Sequence, residues 1–233
     1  GYDSKDVTSS NRPVLSLEKY NKAKFPKNVG ILSNETLSGV DSEIVDRYNI
    51  ILDFLKKENV NLIKIELPYF DYCVATYYVL TMAEASSNLS RFDGLRYGRR
   101  GDSKELNETY LKSRSEGFSK EVKRRIMTGT YVLSSGYYDA YYSKALKVRR
   151  VIKNGYNKLF SEIDCLFMPT TSTTAFPLKN NLENPMKMYL SDIFTVPFNL
   201  VGCPSLNIPA GTTKEKLPIG FQVASNAFKE ETL

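Results

Sequence analysis

The sequence predicts a mixed α/β fold with helices on both sides of a mixed sheet, and three observations carry that reading. First, the short apolar run Asn28-Val-Gly-Ile-Leu-Ser33 is followed by a helical pattern and then by a second run, Leu62 to Leu67. This β-α-β order favours a parallel strand pair with the helix packed across it. Second, much of the region from Tyr69 to Phe160 shows the apolar spacing of helices. Third, Leu206-Asn-Ile208 and Ile219 to Val223 read as paired strands around a loop holding Gly211 and Lys216.

Taken in order, Gly1 to Lys27 is polar and irregular and reads as a connecting segment, with something expected before it. Asp41 or Ser42 could cap the first helix, where Ile44, Tyr48, Ile51, Leu52 and Leu55 recur at i, i+3, i+4 spacing. Tyr69 to Ser90 is helical, and the small-residue run EASSNLS at its end allows close backbone approach. FDGLRYGRRGD, rich in glycine and arginine, reads as a loop, either a solvated turn or a contact surface. Ser119 to Phe160 is mainly helical, broken near Gly136, and ends in a basic face of Lys144, Lys147, Arg149, Arg150 and Lys153. Cys165 to Met168, closed by Pro169, reads as a buried strand with the loop TTSTTAF after it, and ligand sites in open α/β sheets lie outside such strand ends.

Composition narrows the chemistry. At 233 residues, with 42% hydrophobic and 12% aromatic content, the chain can bury a sizeable core. Its net charge of +6 is mild and scattered, compatible with an acidic or nucleic-acid partner. The 16 tyrosines could form an RNA-stacking surface, but most recur at helical spacing, which favours packing. With no histidine, the chain cannot by itself supply a Ser-His-Asp or Cys-His site or a histidine metal ligand. Cys73, Cys165 and Cys203 are odd in number and far apart, which suggests reduced thiols. No apolar run approaches membrane-spanning length and no signal peptide opens the chain, so a soluble, intracellular protein is expected.

The richest segment is Arg114 to Tyr142. Read as a helix, it places Phe118, Val122, Ile126, Gly129 and Leu133 within roughly 40° of one another as an apolar stripe. Arg125 then lies about 60° from the stripe and Arg124 about 160° away, so Arg125 leans inward. A buried guanidinium needs an anion or several acceptors. Arg125 is therefore a candidate anion-binding residue, with a snorkelling arginine or an internal salt bridge as the alternative. Asp192, set in the apolar context MYLSDIFTVPFNL, also needs a partner, and its alternative is a helix cap or structural ion pair. One cation and one anion in a shared pocket would suit a zwitterion. G-x-S-x-G, Walker A and H-E-x-x-H motifs are all missing.

The segments ATYY (Ala75 to Tyr78), AEASSNLSRFDGLRYG (Ala83 to Gly98), RSEGF and EVKRRI (Arg114 to Ile126), GTYVLSSGYYDAYY (Gly129 to Tyr142), PTTSTTAF (Pro169 to Phe176) and MYLSDIFTVPFNL (Met188 to Leu200) together resemble one family. It is the A subunit of glutamyl-tRNA(Gln) amidotransferase, within the amidase-signature enzymes, and the likeness covers essentially the whole chain.

The resemblance implies a fold that is the C-terminal portion of an amidase-signature enzyme, with residues 1–27 as connector and 28–233 as the C-terminal part of that domain. The family's Lys-Ser-Ser triad, with its glycine- and serine-rich signature, is matched by no stretch here, so the chain is expected to be the C-terminal half, cut before a last helix. The family holds its glutamine substrate by a tyrosine of the ATYY-like motif, the second arginine of KRR and the aspartate of YLSDIFT. These correspond to Tyr77, Arg125 and Asp192, with Tyr78 a neighbouring alternative to Tyr77. The implied activity is glutamine hydrolysis, delivering ammonia to convert Glu-tRNA(Gln) to Gln-tRNA(Gln). Implied partners are a B subunit, which holds most of the tRNA contact and is expected to use ATP and Mg2+, and a small C-type subunit or its organellar equivalent. No membrane is involved. A bacterial cytoplasm is expected, with a mitochondrial or plastid matrix as the alternative. Two other functions stay open: another small-amide amidase of the same superfamily, and a non-catalytic RNA- or partner-binding module built on Lys144 to Lys153 and Arg96, Arg99 and Arg100.

Overall fold

The structure, a computed structural model, describes residues 1–14, 26–178, 188 and 191–233. The middle of the expected connector, residues 15–25, and Tyr189–Leu190 of the Asp192 segment lie outside the described residues. The stretch 28–233, read from the sequence as one part, divides into two compact units. A sheet unit holds Gly1–Pro68 and Tyr156–Leu233, and a helical unit holds Tyr69–Gly155.

The sheet unit begins with β1 (Asn28–Leu32), α1 (Ser42–Lys57) and β2 (Asn61–Ile65), the β-α-β order read from the sequence. β1 and β2 are parallel, with Val29 opposite Leu62. β3 (Cys165–Pro169), buried at all five positions, lies parallel to β1 on its other side, with Val29 opposite Cys165. After the short helix from Val196 to Val201, β4 (Ser205–Thr212) and β5 (Pro218–Ala224) pair antiparallel, and β5 runs antiparallel to β3. The five-stranded order is β2-β1-β3-β5-β4, a mixed sheet as expected. Its parallel strands start from one carboxylate. Asp164, just before β3, accepts the amides of Lys27 and Asn28, both at 2.9 Å.

α1 is amphipathic, with Ile44, Tyr48 and Leu52 buried at i, i+4, i+8, Glu43 in its first turn, and Lys56 and Lys57 in its last, a charge order that suits the helix dipole. Its Tyr48 ring stacks on Phe167 at 5.3 Å and on Phe221 at 5.7 Å. The phenol donates to the Phe167 carbonyl and accepts from the Leu32 amide, both at 3.0 Å. One side chain thereby joins α1 to β1, β3 and β5, and burial raises its pKa above the usual tyrosine value. The expected cap is different in detail. Asp41 occupies the N-cap position, but its side chain makes no cap hydrogen bond. Its carboxylate accepts from Thr174 at 3.4 Å and its amide donates to the Ser172 carbonyl at 2.9 Å, tying the loop after β3 to the start of α1.

The helical unit opens with α2 (Phe70–Asn88), entered through Tyr69 in a left-handed conformation. α3 (Leu106–Gly117) and α4 (Lys120–Val132) follow, so the single helix read over Arg114 to Tyr142 is interrupted at Phe118 and Ser119. The Ser119 hydroxyl accepts the Val122 amide at 3.4 Å and restarts the helix. A second break falls at Gly136, at φ 88°, where the sequence places one. A π-helical turn, Asp139–Ser143, then leads into α5 (Lys144–Leu159). The small residues at the end of α2 do allow close approach, and α4 meets them through a glycine. A Cβ at Gly129 would collide with the Met82 carbonyl oxygen and lie 2.7 Å from the Ser86 Cβ. Beside that contact the Ser86 and Thr130 hydroxyls hydrogen-bond at 2.9 Å. Among the described residues no helix is long and apolar enough to cross a membrane.

Two substitutions test these contacts. Tyr48→Phe keeps the ring stacking but strands a buried amide and carbonyl, so urea unfolding should show a loss of about 1–3 kcal/mol at unchanged m-value. Gly129→Ala gains about 1 kcal/mol of helix propensity yet must push α2 and α4 apart, an overpacking cost of about 1–3 kcal/mol, so the melting temperature should fall. Gly117→Ala, where nothing lies within 4 Å of the added Cβ, should not lower it.

Candidate functional site

The side chains singled out from the sequence fall in both units, and each is described within its own. In the helical unit, Ser119 sets the start of α4 so that Glu121, Arg124 and Arg125 occupy its first two turns. Glu121 divides its carboxylate between both arginines, Oε2 to Arg124 Nη1 at 2.6 Å and Oε1 to Arg125 Nε at 3.0 Å. These i, i+3 and i, i+4 contacts explain why the helical-wheel contrast is smaller than expected. The side chains are 43% and 38% exposed, because both long stems bend toward the same acid. The internal salt bridge weighed as an alternative for Arg125 is thus present. As a half-exposed i, i+4 pair it is worth about 0.3–0.5 kcal/mol.

Arg125 also reaches toward α2. Its guanidinium carbon lies 5.9 Å from the centre of the Tyr78 ring, which is buried. Tyr77, half-buried, meets Tyr78 edge to face at 5.3 Å and 88°. The structure therefore brings Arg125 and the ATYY segment together, with Tyr78 as the ring that Arg125 faces and Tyr77 beyond it. Sequence reasoning ranks Tyr78 behind Tyr77 and misses the role of Glu121. Glu121 could have been found from its i, i+4 spacing to Arg125. The place of Tyr78 is not given by periodicity, since Cys73, Thr76, Leu80 and Ala83 form the buried stripe of α2 while Tyr78 and Met82 are buried on its other side.

In the sheet unit, Asp192 is half-buried, and its backbone carbonyl accepts the amides of Thr195 and Val196, both at 3.0 Å. That turn feeds the helix Val196–Val201. The segment is held from below by Gln222 of β5, almost fully buried, whose amide donates to the Phe194 carbonyl at 3.0 Å and the Pro169 carbonyl at 3.2 Å. Gln222 thereby links the Asp192 turn to the end of β3, where the Thr/Ser loop begins. In that loop Thr170 hydrogen-bonds Asn207 of β4, and Thr174 reaches Asp41. The threonines are thus fixed at the C-terminal end of β3.

The arginine-rich loop is a built turn. Asp93 accepts the Leu95 and Arg96 amides and pairs with the Arg96 guanidinium at 2.9 Å, and the backbone donation from Arg96 leads the causes that hold its carboxyl well below the usual range. Arg99 pairs with Glu116, and Arg114 donates to the Leu89 and Phe92 carbonyls. Burial pushes the thiols of Cys73 and Cys165 up to about 12, so both are protonated at neutral pH. Among the described residues, no group of three His, Cys, Asp or Glu is placed to hold a metal ion. An apolar cavity of about 550 Å³ in the sheet unit, lined by Val29, Arg47, Ile50, Phe54 and Phe221 among others, holds none of the three candidate residues.

Comparison with known proteins gives concordant likenesses. The chain is 45% identical over 238 residues to the A subunit of glutamyl-tRNA(Gln) amidotransferase from Trichodesmium erythraeum and 44% identical over 234 residues to that from Pelagibacter ubique. All of this chain is covered in both, but only 49% and 48% of the relatives, so the chain spans about half the length of the curated relatives it matches. The crystal structure of the A subunit of glutamyl-tRNA(Gln) amidotransferase from Thermotoga maritima superposes with a TM-score of 0.74 at 33% identity, covering 100% of this chain and 46% of that one. A crystal structure of an amidase shares the fold at a TM-score of 0.67 and 22% identity, covering 88% of this chain and 43% of that one. The family model for amidases matches residues 1–233, and with this sheet and these helices behind that match, the chain belongs to the amidase family.

Proposed function

We propose that the chain carries the glutamine-recognition part of a glutamyl-tRNA(Gln) amidotransferase A subunit. The observation that supports this most is its likeness, along every residue, to bacterial proteins of that name. In this reading a serine attacks the side-chain amide of glutamine, the C–N bond breaks, ammonia leaves, and water releases glutamate from the acyl-enzyme. A second serine, linked to a lysine, handles the proton. No stretch of these 233 residues matches that Lys-Ser-Ser signature, so only recognition is assigned here. Arg125 takes the α-carboxylate by charge-assisted hydrogen bonds, exchanging its contact with Glu121, while Tyr77 and Tyr78 shape the wall beside it and Asp192 takes the α-ammonium. Fixing both α-groups sets the distance to the reacting amide, which is a positioning effect.

The ammonia passes to a B subunit that uses ATP and Mg2+ to activate Glu-tRNA(Gln), with a small C-type subunit completing the complex in the bacterial cytoplasm. The described residues offer no cluster suited to a metal, and no step in this chain is routed through one.

Two outcomes check the proposal. The chain alone should release no ammonia from glutamine above background in a coupled assay, and release proportional to chain concentration would overturn the assignment of recognition alone. In the assembled amidotransferase, Arg125→Lys keeps the charge but loses the planar fork. It should lower glutamine-dependent kcat/KM about ten- to a hundredfold, the equivalent of about 1.5–3 kcal/mol, and leave activity with free ammonia intact. Arg124→Lys should do little. Equal loss with both nitrogen donors, tracking a fall in melting temperature, would show that Arg125 is only structural.

A further inference from the structure

Outside α5, Arg96 pairs with Asp93, Arg99 with Glu116, and Arg124 and Arg125 share Glu121. The cations of α5 are gathered in one short stretch. Between Tyr137 and Lys153 lie Lys144, Lys147, Arg149, Arg150 and Lys153 against Asp139 alone, a net +4 within a chain of net +6, so the excess charge is concentrated here. Lys144, Lys147, Arg149 and Arg150 are exposed. Among the described residues, Lys144, Lys147, Arg150 and Lys153 pair with no carboxylate.

Next to these cations stands a cluster of half-exposed tyrosines. The π-turn Asp139–Ser143, closed by the Ser143 amide on the Tyr138 carbonyl, carries Tyr141 and leads directly into α5. The Tyr131 and Tyr137 rings pack tilted by 35° at 4.2 Å, and Tyr141 lies 6.1 Å from each, with all three residues between 42% and 47% exposed. Hydrogen bonding to Tyr137 pushes the Tyr131 phenol up to about 12.

We propose that Tyr137–Lys153 is an RNA-docking face, in which the α5 cations contact phosphates and the tyrosine cluster stacks on unpaired bases. Lys144, Lys147, Arg150 and Lys153 follow one another at i, i+3 spacing and wind about half-way round the helix over about 14 Å, a strip along which successive phosphates can track. Exposed aromatic faces beside unpaired cations are the arrangement that binds single-stranded or splayed RNA. A lipid surface fits less well, since Leu146 and Val151 are the aliphatic side chains exposed on the described part of this face. The choice of a structured RNA rests on the reading above, whose reaction takes an aminoacyl-tRNA.

The test is fluorescence anisotropy of the full chain with a labelled tRNA transcript from about 50 to about 200 mM salt. Lys144→Gln/Lys147→Gln/Arg150→Gln/Lys153→Gln should reduce the slope of log K against log salt by about 3, and Lys147→Gln alone by about 1, with circular dichroism unchanged. Arg96→Gln/Arg99→Gln should leave the slope as it is. Tyr137→Leu/Tyr141→Leu should weaken binding of a single-stranded oligonucleotide about tenfold without changing the slope. Three results would overturn the proposal: no binding at low salt, an unchanged slope in both α5 charge-removal variants, or tighter binding to phosphatidylglycerol vesicles or polyglutamate than to RNA. None of these readouts involves glutamine, so their failure leaves the amidase reading to its own kinetic comparison.

Discussion

The sheet unit depends on one phenol. Tyr48 reaches from α1 to hydrogen-bond the backbone of β1 and β3 while its ring covers Phe167 and Phe221. Two buried backbone groups and two aromatic contacts are satisfied by a single side chain, which gives α1 one rotation and one height over the sheet. The start of α1 then determines where Asp41 stands, and Asp41 anchors the loop that follows β3. A core contact thereby controls the position of threonines at a strand end, where α/β folds place ligands.

In the helical unit the comparable constraint is the absence of a side chain. Gly129 lets α4 lie against the Met82 carbonyl, and that approach brings Arg125, one turn earlier on the same helix, within reach of the Tyr78 ring. Packing and recognition are coupled at this point. The Arg125 position follows from how close two backbones come, whereas its ion pairing follows from Glu121 beside it.

Much of this is legible in the residues. The alternation of strand and helix from Asn28 to Ile65, the fully apolar β3, the pairing of the last two strands and the break at Gly136 all follow from local pattern and turn chemistry and are present, although Gly211, read as part of the loop, lies within β4 where its register shifts. Arg125 comes within 5.9 Å of the buried Tyr78 ring, but its side chain is scarcely less exposed than that of Arg124. What local pattern does not encode is the identity of long-range partners. Asp41 reads as a helix cap, because nothing nearby announces that Thr174 will compete for its carboxylate. Gln222 reads as one polar residue in a strand, yet it holds the Asp192 turn.

The order of the chain has a kinetic consequence. β3 completes the parallel half of the sheet, and the contact between Lys27 and Asp164 joins residues 137 positions apart. All of α2 to α5 lies between them in sequence. On the ribosome, β1 must therefore wait with an open edge while the whole helical insertion is synthesised, a long closure whose entropy is spent before any pairing rewards it. During that interval the apolar run Val29 to Leu32 is the segment most exposed to pairing with a foreign strand. The tyrosine that later secures β1 can seat its phenol only after β3 has emerged, so the step that completes the sheet is also the one that ends its vulnerability to aggregation.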